Sequence, residues 1–427
     1  MSFVFLILVA AESSAQTAAP DTRFIKQRIA TLCGPTMRGR GYVQKGGERA
    51  AGYLVRQLRE MGVQPIDSSG SYTQFYNLSA NTFPKEMAFT VGKKEAVPGV
   101  EYLIDAASTS FRAEKEKVVT VDLLKSQRDW LGINADTPLV MPAGRVFLLK
   151  NADSAKKLLV DPRLLPDVLP RGAYIIPVKG KMTWTVSTDT TAHGATIFYV
   201  QDSVLPKCIR RATIALDAEW EPMMRQQNVM GMVRGTAVPD SFIVFTAHYD
   251  HLGMMGKRTV FPGASDNASG TAMVLNLARH FTANPPRYSV LFIFFSGEEA
   301  GLKGSRWFTQ HPAVPLNKMR FLVNLDIMGD ASSGVTVVNA TEFSEEFALM
   351  QRLNDAGGYL PAVKSRGKAA NSDHYWFTEA GVPSFFLYSN GGKGFYHDVF
   401  DTPKNVSLAG VDGVMKLLVE FAAAMQK

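Results

Sequence analysis

Apolar and polar positions alternate along this chain in three textures. From Asp21 to about Pro65 the period is helical: FIKQRIATL carries apolar residues at three-and-four spacing, and GGERAAGYLVRQLREMGVQP repeats the pattern up to a glycine stop. Two helices joined by GPTMRGRGYVQKGG are predicted there. Between about Phe83 and Arg225 the pattern shortens into strand-like pieces (AFTV, KVVTVDLL, GRVFLLK, AYIIPV, MTWTV, ATIFYV, ATIAL), the texture of a separate β-rich lobe. From Gln227 onward the runs SFIVFTA, YSVLFIFFS, RFLVNLDIM and SFFLY are almost continuously apolar, as strands covered by helices on both faces are. The segments DNASGTAMVLNLARHFTA, EFSEEFALMQRLNDAG and VDGVMKLLVEFAAAM read as helices between and after them, so the expected fold is α/β with a mostly parallel central sheet.

Length and composition narrow the class without choosing a function. At 427 residues the chain has room for two or three structural units, and 46% hydrophobic with 20% charged residues is ordinary for a folded protein. The 46 Lys and Arg against 39 Asp and Glu are scattered, so no basic stripe points to nucleic acid, and they read as solvated surface. The start, MSFVFLILVAAESSAQTAAPD, is a short apolar run followed by small residues, with Ser13 and Ala15 at the minus-three and minus-one positions of a cleavage site. A secretory signal is expected over residues 1–20, although its basic n-region is missing, and with it a secreted or periplasmic location. No later run is long enough to be a membrane helix. Cys33 and Cys208 are the only cysteines, and their separation leaves pairing open, with two inert buried thiols as the other reading.

In an open α/β sheet, ligands gather where strands end at their carboxyl edge, which makes polar residues just after apolar runs the ones to inspect. HYDHLG after the first run offers His248, Asp250 and His251, and GASDNASG offers Asp266 at a helix start. GEE after the second run offers Glu298 and Glu299; Asp326 sits inside RFLVNLDIMGD, and GFYHDVFDT offers His397. Taken singly, Asp266 reads as a helix cap, His248 as a hydrogen-bonded core histidine and the glutamate pair as a solvated turn. Asp326 resists such a reading, because an aspartate in an apolar strand is costly to bury unless paired or metal-bound. Together they are imidazoles and carboxylates, the donor set that Zn²⁺ accepts.

The motifs NVMGMVRG, FTAHYDHLG, GASDNASGTA, FSGEEAGLKGS, NLDIMG, SDHYWFTEAGVPSFF and FYHDVFDT follow in this order from Gln227 to Val406. In them the chain resembles the co-catalytic di-zinc exopeptidases, the superfamily of bacterial aminopeptidases, glutamate carboxypeptidases and the transferrin-receptor ectodomain. The resemblance implies a phosphorylase/hydrolase-like three-layer αβα catalytic domain over residues 226–427, completed by an N-terminal helical part over 21–82. It also implies that 83–225 is an inserted β-rich lid of protease-associated type. His248 and Asp326 would bind one zinc, Glu299 and His397 the other, and Asp266 would bridge the two. In extended chain, neighbouring side chains point to opposite sides, so Glu298 and Glu299 are not expected to serve the same ion. By likeness to the family Glu299 is the ligand and Glu298 the general base. Asp250 resembles the aspartate that orients the ligand histidine. Tyr396 stands where some members carry a tyrosine that hydrogen-bonds the developing oxyanion. A cis peptide between Asp266 and Asn267 is implied as well. One departure is Asn371, where some relatives place a substrate-holding arginine before Ser-Asp-His; Arg366 and Lys368 are the nearby substitutes. The implied activity is an aminopeptidase acting on peptides with a free N-terminus. Carboxypeptidase specificity, a one-zinc glutaminyl cyclase and a non-catalytic receptor-like ectodomain are the alternatives.

Overall fold

The computed structural model describes residues 21–66, 69–122, 145–150, 171–188 and 195–426. The expected signal segment lies outside these residues, as does the piece between GRVFLLK and RGAYIIPV.

Two eight-stranded sheets organise the chain. The first runs in the order β1 (Thr73–Thr82), β10 (Glu219–Val233), β14 (Tyr288–Phe295), β11 (Val238–His248), β15 (Met319–Leu325), β18 (Ser384–Ser389), β16 (Val335–Val338) and β17 (Val363–Ser365). Its centre is parallel: β11 pairs β14 and β15 in parallel, and β15 pairs β18 in parallel, whereas β1 and β10 add antiparallel strands at one edge.

Alternation along β14 explains the continuous apolar run. Val290, Phe292 and Phe294 enter one core with Ile243, Phe245 and Ala247 of β11, while Leu291, Ile293 and Phe295 enter another with Phe242 and Val244. The first core is closed by helices α1 (Thr22–Leu32), α2 (Gly46–Glu60), α3 (Gly270–Ala283), α5 (Ser344–Gly357) and α7 (Val411–Ala424). On the opposite face α4 (Lys303–Gln310) and α6 (His374–Glu379) contribute Phe308 and Phe377. Helix, sheet and helix thus form three layers, as the strand and helix alternation predicts. The N-terminal pair α1 and α2 packs into the same core as the downstream helices, and Asp21 caps α1 by accepting from the Phe24 N–H.

The second sheet is drawn from residues 88–216. It runs in the order β3 (Lys94–Glu95), β2 (Ala88–Val91), β9 (Arg211–Leu216), β5 (Phe111–Asp122), β6 (Val146–Lys150), β7 (Gly172–Val178), β8 (Ala195–Gln201) and β4 (Tyr102–Ile104). Its core holds Phe89, Tyr102, Phe198 and Ile214. It also takes in Leu252, Met255 and Phe261, carried by or beside the short antiparallel pair β12 (Gly253–Met255) and β13 (Thr259–Phe261) that follows β11. The strand that contains Arg225 is β10, which belongs to the first sheet along its length. One expected strand is absent: MTWTV (182–186) lies in no sheet. Its backbone groups are used elsewhere, since the Trp184 N–H donates to the His397 carbonyl and the Trp184 carbonyl accepts from the His397 ring. Cys33 is half-buried and Cys208 exposed, both as free thiols, so the reading of two buried cysteines does not hold for Cys208.

Candidate metal centre

Parallel pairing puts the carboxyl ends of β11, β14 and β15 at one edge of the sheet. His248 is the last residue of β11, Glu298 and Glu299 follow β14, and Asp326 follows β15. Asp266 arrives on the turn Ala264–Ser269 that leads into α3, and the bond between Asp266 and Asn267 is cis, as expected. Close approach fixes that turn over the sheet edge, because a Cβ on Gly270 would overlap the Leu325 carbonyl just before Asp326. Asn267 holds the same contact by donating to the Leu325 carbonyl (2.9 Å) and accepting from Gly270 N–H (2.9 Å).

The five expected ligand residues meet. His248 Nε2 lies 3.3 Å from Asp266 Oδ1 and 3.1 Å from Asp326 Oδ1. His397 Nε2 lies 3.2 Å from Asp266 Oδ2 and 3.0 Å from Glu299 Oε2. Asp266 therefore offers one carboxylate oxygen to each group. These separations are those of two ligands sharing an ion: with metal–ligand bonds of about 2.0–2.1 Å, the edge of a zinc tetrahedron is roughly 3.3 Å. Donor atoms of His248, Asp266 and Glu299 also fall within 4.8 Å of one another, as expected around a carboxylate shared by both groups.

Tautomer and orientation are set from behind. The Nδ1 of His248 faces the Asp250 carbonyl at 3.2 Å and that of His397 faces the Trp184 carbonyl at 2.9 Å. A carbonyl only accepts, so each Nδ1 donates and each Nε2 is turned toward the carboxylates. The Asp250 side chain is farther from His248, at 3.6 Å. Its carboxylate accepts instead from the Tyr42 hydroxyl (2.8 Å) and the Glu298 N–H (3.3 Å). Asp326 is aimed by a buried chain in which Thr246 donates to Asn324, Asn324 to Ser372, and Ser372 to Asp326 Oδ2.

The adjacent glutamates diverge. Glu298 Oε2 approaches His248 at 4.0 Å, whereas Glu299 turns to His397 and, at 2.6 Å, to His251 Nδ1. Tyr396 stacks on His397 with ring centroids 3.8 Å apart and remains 42% exposed. Arg366 instead reaches Tyr388, and Lys368 pairs with Glu379.

The charge balance of the centre suits a cation. Asp250, Asp266, Glu299, Asp326 and Asp373 are buried together beside Glu298, faced by the imidazoles of His248, His251 and His397. Burial opposes the charged form of His397, but Glu299 and Asp266 overcome it and push its pKa up to about 11. His248 is raised for the same reason, with Asp326 and Glu298 overcoming burial. Burial raises Asp266, yet hydrogen bonds from both histidines hold it well below the usual carboxylate range. Glu298 behaves oppositely: burial, with Asp326 and Glu299 near it, raises its carboxyl well above the usual range despite His248. Without metal, imidazole protons thus stand between the carboxylates where a divalent ion fits.

Several contributors are invisible in the strand-end pattern. Asp401, itself buried, accepts from the N–H groups of Ser265 and Asp266 and so holds the bridging turn. Arg40, whose sequence context reads as solvated surface, is 0% exposed and donates to the carbonyls of Tyr249 (2.7 Å), Pro262 (2.6 Å), Gly263 (2.8 Å) and Leu32 (3.2 Å). His251 lies inside FTAHYDHLG and Asp401 inside FYHDVFDT, which is the signal that marks them; Arg40 has none.

Known proteins resemble this chain in sequence and in fold. Residues 228–422 match the model of peptidase family M28. Aminopeptidase YwaD of Bacillus subtilis is 30% identical over 190 residues, covering 42% of this chain and 40% of the relative. A probable zinc metalloprotease of Leptosphaeria maculans is 33% identical over 111 residues, 26% of each chain. The chain thus spans less than half the length of these curated relatives. Among solved structures, a peptidase M28 precursor from Shewanella amazonensis superimposes with a TM-score of 0.68 at 14% identity, covering 97% of this chain and 95% of the other. The zinc aminopeptidase BSAP from Bacillus subtilis does so with a TM-score of 0.64 at 18% identity, covering 95% and 94%. Both structures share the fold across nearly the full length. Over residues 228–422, the stretch that carries the five expected ligand residues, the chain is similar to peptidase family M28.

Proposed function

We propose that the chain is a zinc-dependent aminopeptidase that removes N-terminal residues from peptides. Two zinc ions would be held by His248 with Asp326 and by Glu299 with His397, with Asp266 between them. The observation that carries this reading is the division of the Asp266 carboxylate between two histidines at 3.3 and 3.2 Å, each histidine with a further carboxylate at 3.1 or 3.0 Å. Ions bound there supply Lewis acidity toward a peptide carbonyl and lower the pKa of water.

The side chains do the rest. Glu298 accepts a proton from the attacking water at a carboxylate oxygen and returns it to the leaving amine. Asp250, through its carbonyl and the Glu298 N–H, keeps His248 and Glu298 in register. Tyr396, held flat against His397, directs its hydroxyl to the oxyanion that develops on the substrate carbonyl. The lobe over 83–225 is read as an inserted lid of protease-associated type, and the leader as an export signal for a secreted or periplasmic enzyme. No helix among the described residues is long and apolar enough to cross a membrane.

Aminoacyl p-nitroanilides and N-blocked peptides, offered with and without a chelator, test the proposal. Chelator-sensitive release from free N-termini alone, abolished in Glu298→Ala, is expected. Cleavage of the blocked peptides, or no release by zinc-loaded protein, would overturn it.

A further inference from the structure

We infer that the segment Lys181–Ser187 of the second β lobe is a built-in part of the Glu299–His397 half-site, and that Trp184 is a positioning residue for metal binding there. The inference rests on the two-ion reading above and extends it to residues outside the motifs.

The two histidines differ in how they are held. His248 donates to a carbonyl two residues along its own loop, so its orientation is local. His397 donates to Trp184, 213 positions away in sequence, and the Trp184 N–H returns a bond to the His397 carbonyl at 2.9 Å. This reciprocal pair fixes both the ring and the backbone of a residue at φ 53°, a conformation that a non-glycine residue needs help to keep.

The segment is itself anchored. The indole of Trp184 stacks on Phe261 with centroids 4.8 Å apart, and its Nε1–H donates to the Ile104 carbonyl at 2.9 Å. Lys181 donates to the Gly394 carbonyl (2.7 Å) and pairs with Asp398 (3.2 Å), on either side of His397. Asp398 in turn accepts from the N–H groups of Tyr396 and Phe400. At the far end, Ser187 offers its carbonyl to the Asn81 N–H. The loop that carries His397 is therefore pinned to the lobe at three successive points, whereas His248 and Asp326 are held within the first sheet; the Asp266 turn, common to both half-sites, is held by Asp401 and Arg40 and not by this segment. Loosening the segment should weaken one metal-binding step and spare the other.

Zinc-loaded wild type, Trp184→Ala, Trp184→Phe and Lys181→Ala are dialysed against buffers of graded free zinc. Bound zinc per chain is measured by atomic emission, with circular dichroism and thermal melting in parallel. Wild type should hold two ions. Trp184→Ala keeps the carbonyl behind His397 but loses the indole contacts that hold it in place, so it should hold one ion where wild type holds two and regain the second at up to roughly 10–100-fold higher free zinc, the loss that bounds full removal of such a partner. Trp184→Phe keeps the stacking and should recover most of that loss, and Lys181→Ala should weaken the same step by less. Should Trp184→Ala fail to fold, the latter two variants carry the comparison. Folded variants that bind both ions as wild type does, or that lose both steps equally, would overturn the inference alone. Wild type that binds fewer than two ions at any concentration would overturn the two-ion reading together with it.

Discussion

Replacing Arg40 by methionine tests whether a buried cation far from the motifs holds the metal-binding loops. The guanidinium makes bonds of 2.6–3.2 Å to four carbonyls, and a longer one of 3.4 Å to the Asp266 carbonyl. No carboxylate is among these partners, so the residue acts as a fork between main-chain segments. Methionine fills much of the same volume but takes the donor from the carbonyls of Tyr249, Pro262 and Leu32, whereas that of Gly263 keeps the Ala268 N–H. Each lost charge-assisted bond is worth about 1.5–3 kcal/mol, but the losses do not add, because the loops relax and admit water. A buried acceptor left without its donor costs about 1–3 kcal/mol, so a net cost of about 3–5 kcal/mol is expected here. For a cooperative unit the size of the first sheet and its helices, this lowers the melting temperature by roughly 10 °C. Differential scanning calorimetry of the zinc-free protein reads this without interference from bound metal, and Arg40→Lys, which keeps the charge but not the fork, should fall between. A melting temperature for Arg40→Met within about 2 °C of wild type would refute the reasoning, because three carbonyls inside the protein cannot lose their donor so cheaply.

The same geometry sets three other expectations. Glu298→Gln should lower turnover by about 10²–10⁴ while zinc per chain, read by atomic emission, stays at the wild-type level; parallel loss of metal would mean that Glu298 is a ligand. Removing zinc with a chelator should lower the melting temperature, with recovery on re-addition, since an ion at 1,000 times its dissociation constant contributes about 4 kcal/mol. Asp330 gives a pH signature apart from the centre. Burial raises its carboxyl, but Ser332 and Ser407 more than offset this and hold its pKa below the usual 3.8. A depressed folded-state pKa stabilises above the unfolded value and is lost as pH falls through the folded one. The urea midpoint gap between wild type and Asp330→Asn should therefore be full at neutral pH and close in strong acid; a gap independent of pH would contradict the assignment.

Much of this protein is legible in the order of its residues alone. Continuous apolar runs such as YSVLFIFF announce strands buried on both faces, and helical periodicity between them leaves a layered parallel sheet as the consistent outcome. Parallel strands that end at one edge then bring His248, Glu299 and Asp326 together, so the position of a polar residue after an apolar run already carries spatial information. Glu298 and Glu299 diverge on the turn after β14, where Gly301 and Leu302 N–H groups donate to the Glu298 carbonyl, and not through the extended-chain alternation expected of them. Other features have no such local signature. MTWTV has the composition of a strand, yet both backbone groups of its central residue, Trp184, are taken by His397 and not by a ladder. Arg40 has the look of a surface residue because burial of a guanidinium depends on which carbonyls the fold gathers around it. Asp401 and Trp184 act on residues more than a hundred positions away. Period and composition are properties of neighbours along the chain, and they determine elements and faces; long-range satisfaction of buried donors and acceptors is decided only when the chain closes on itself.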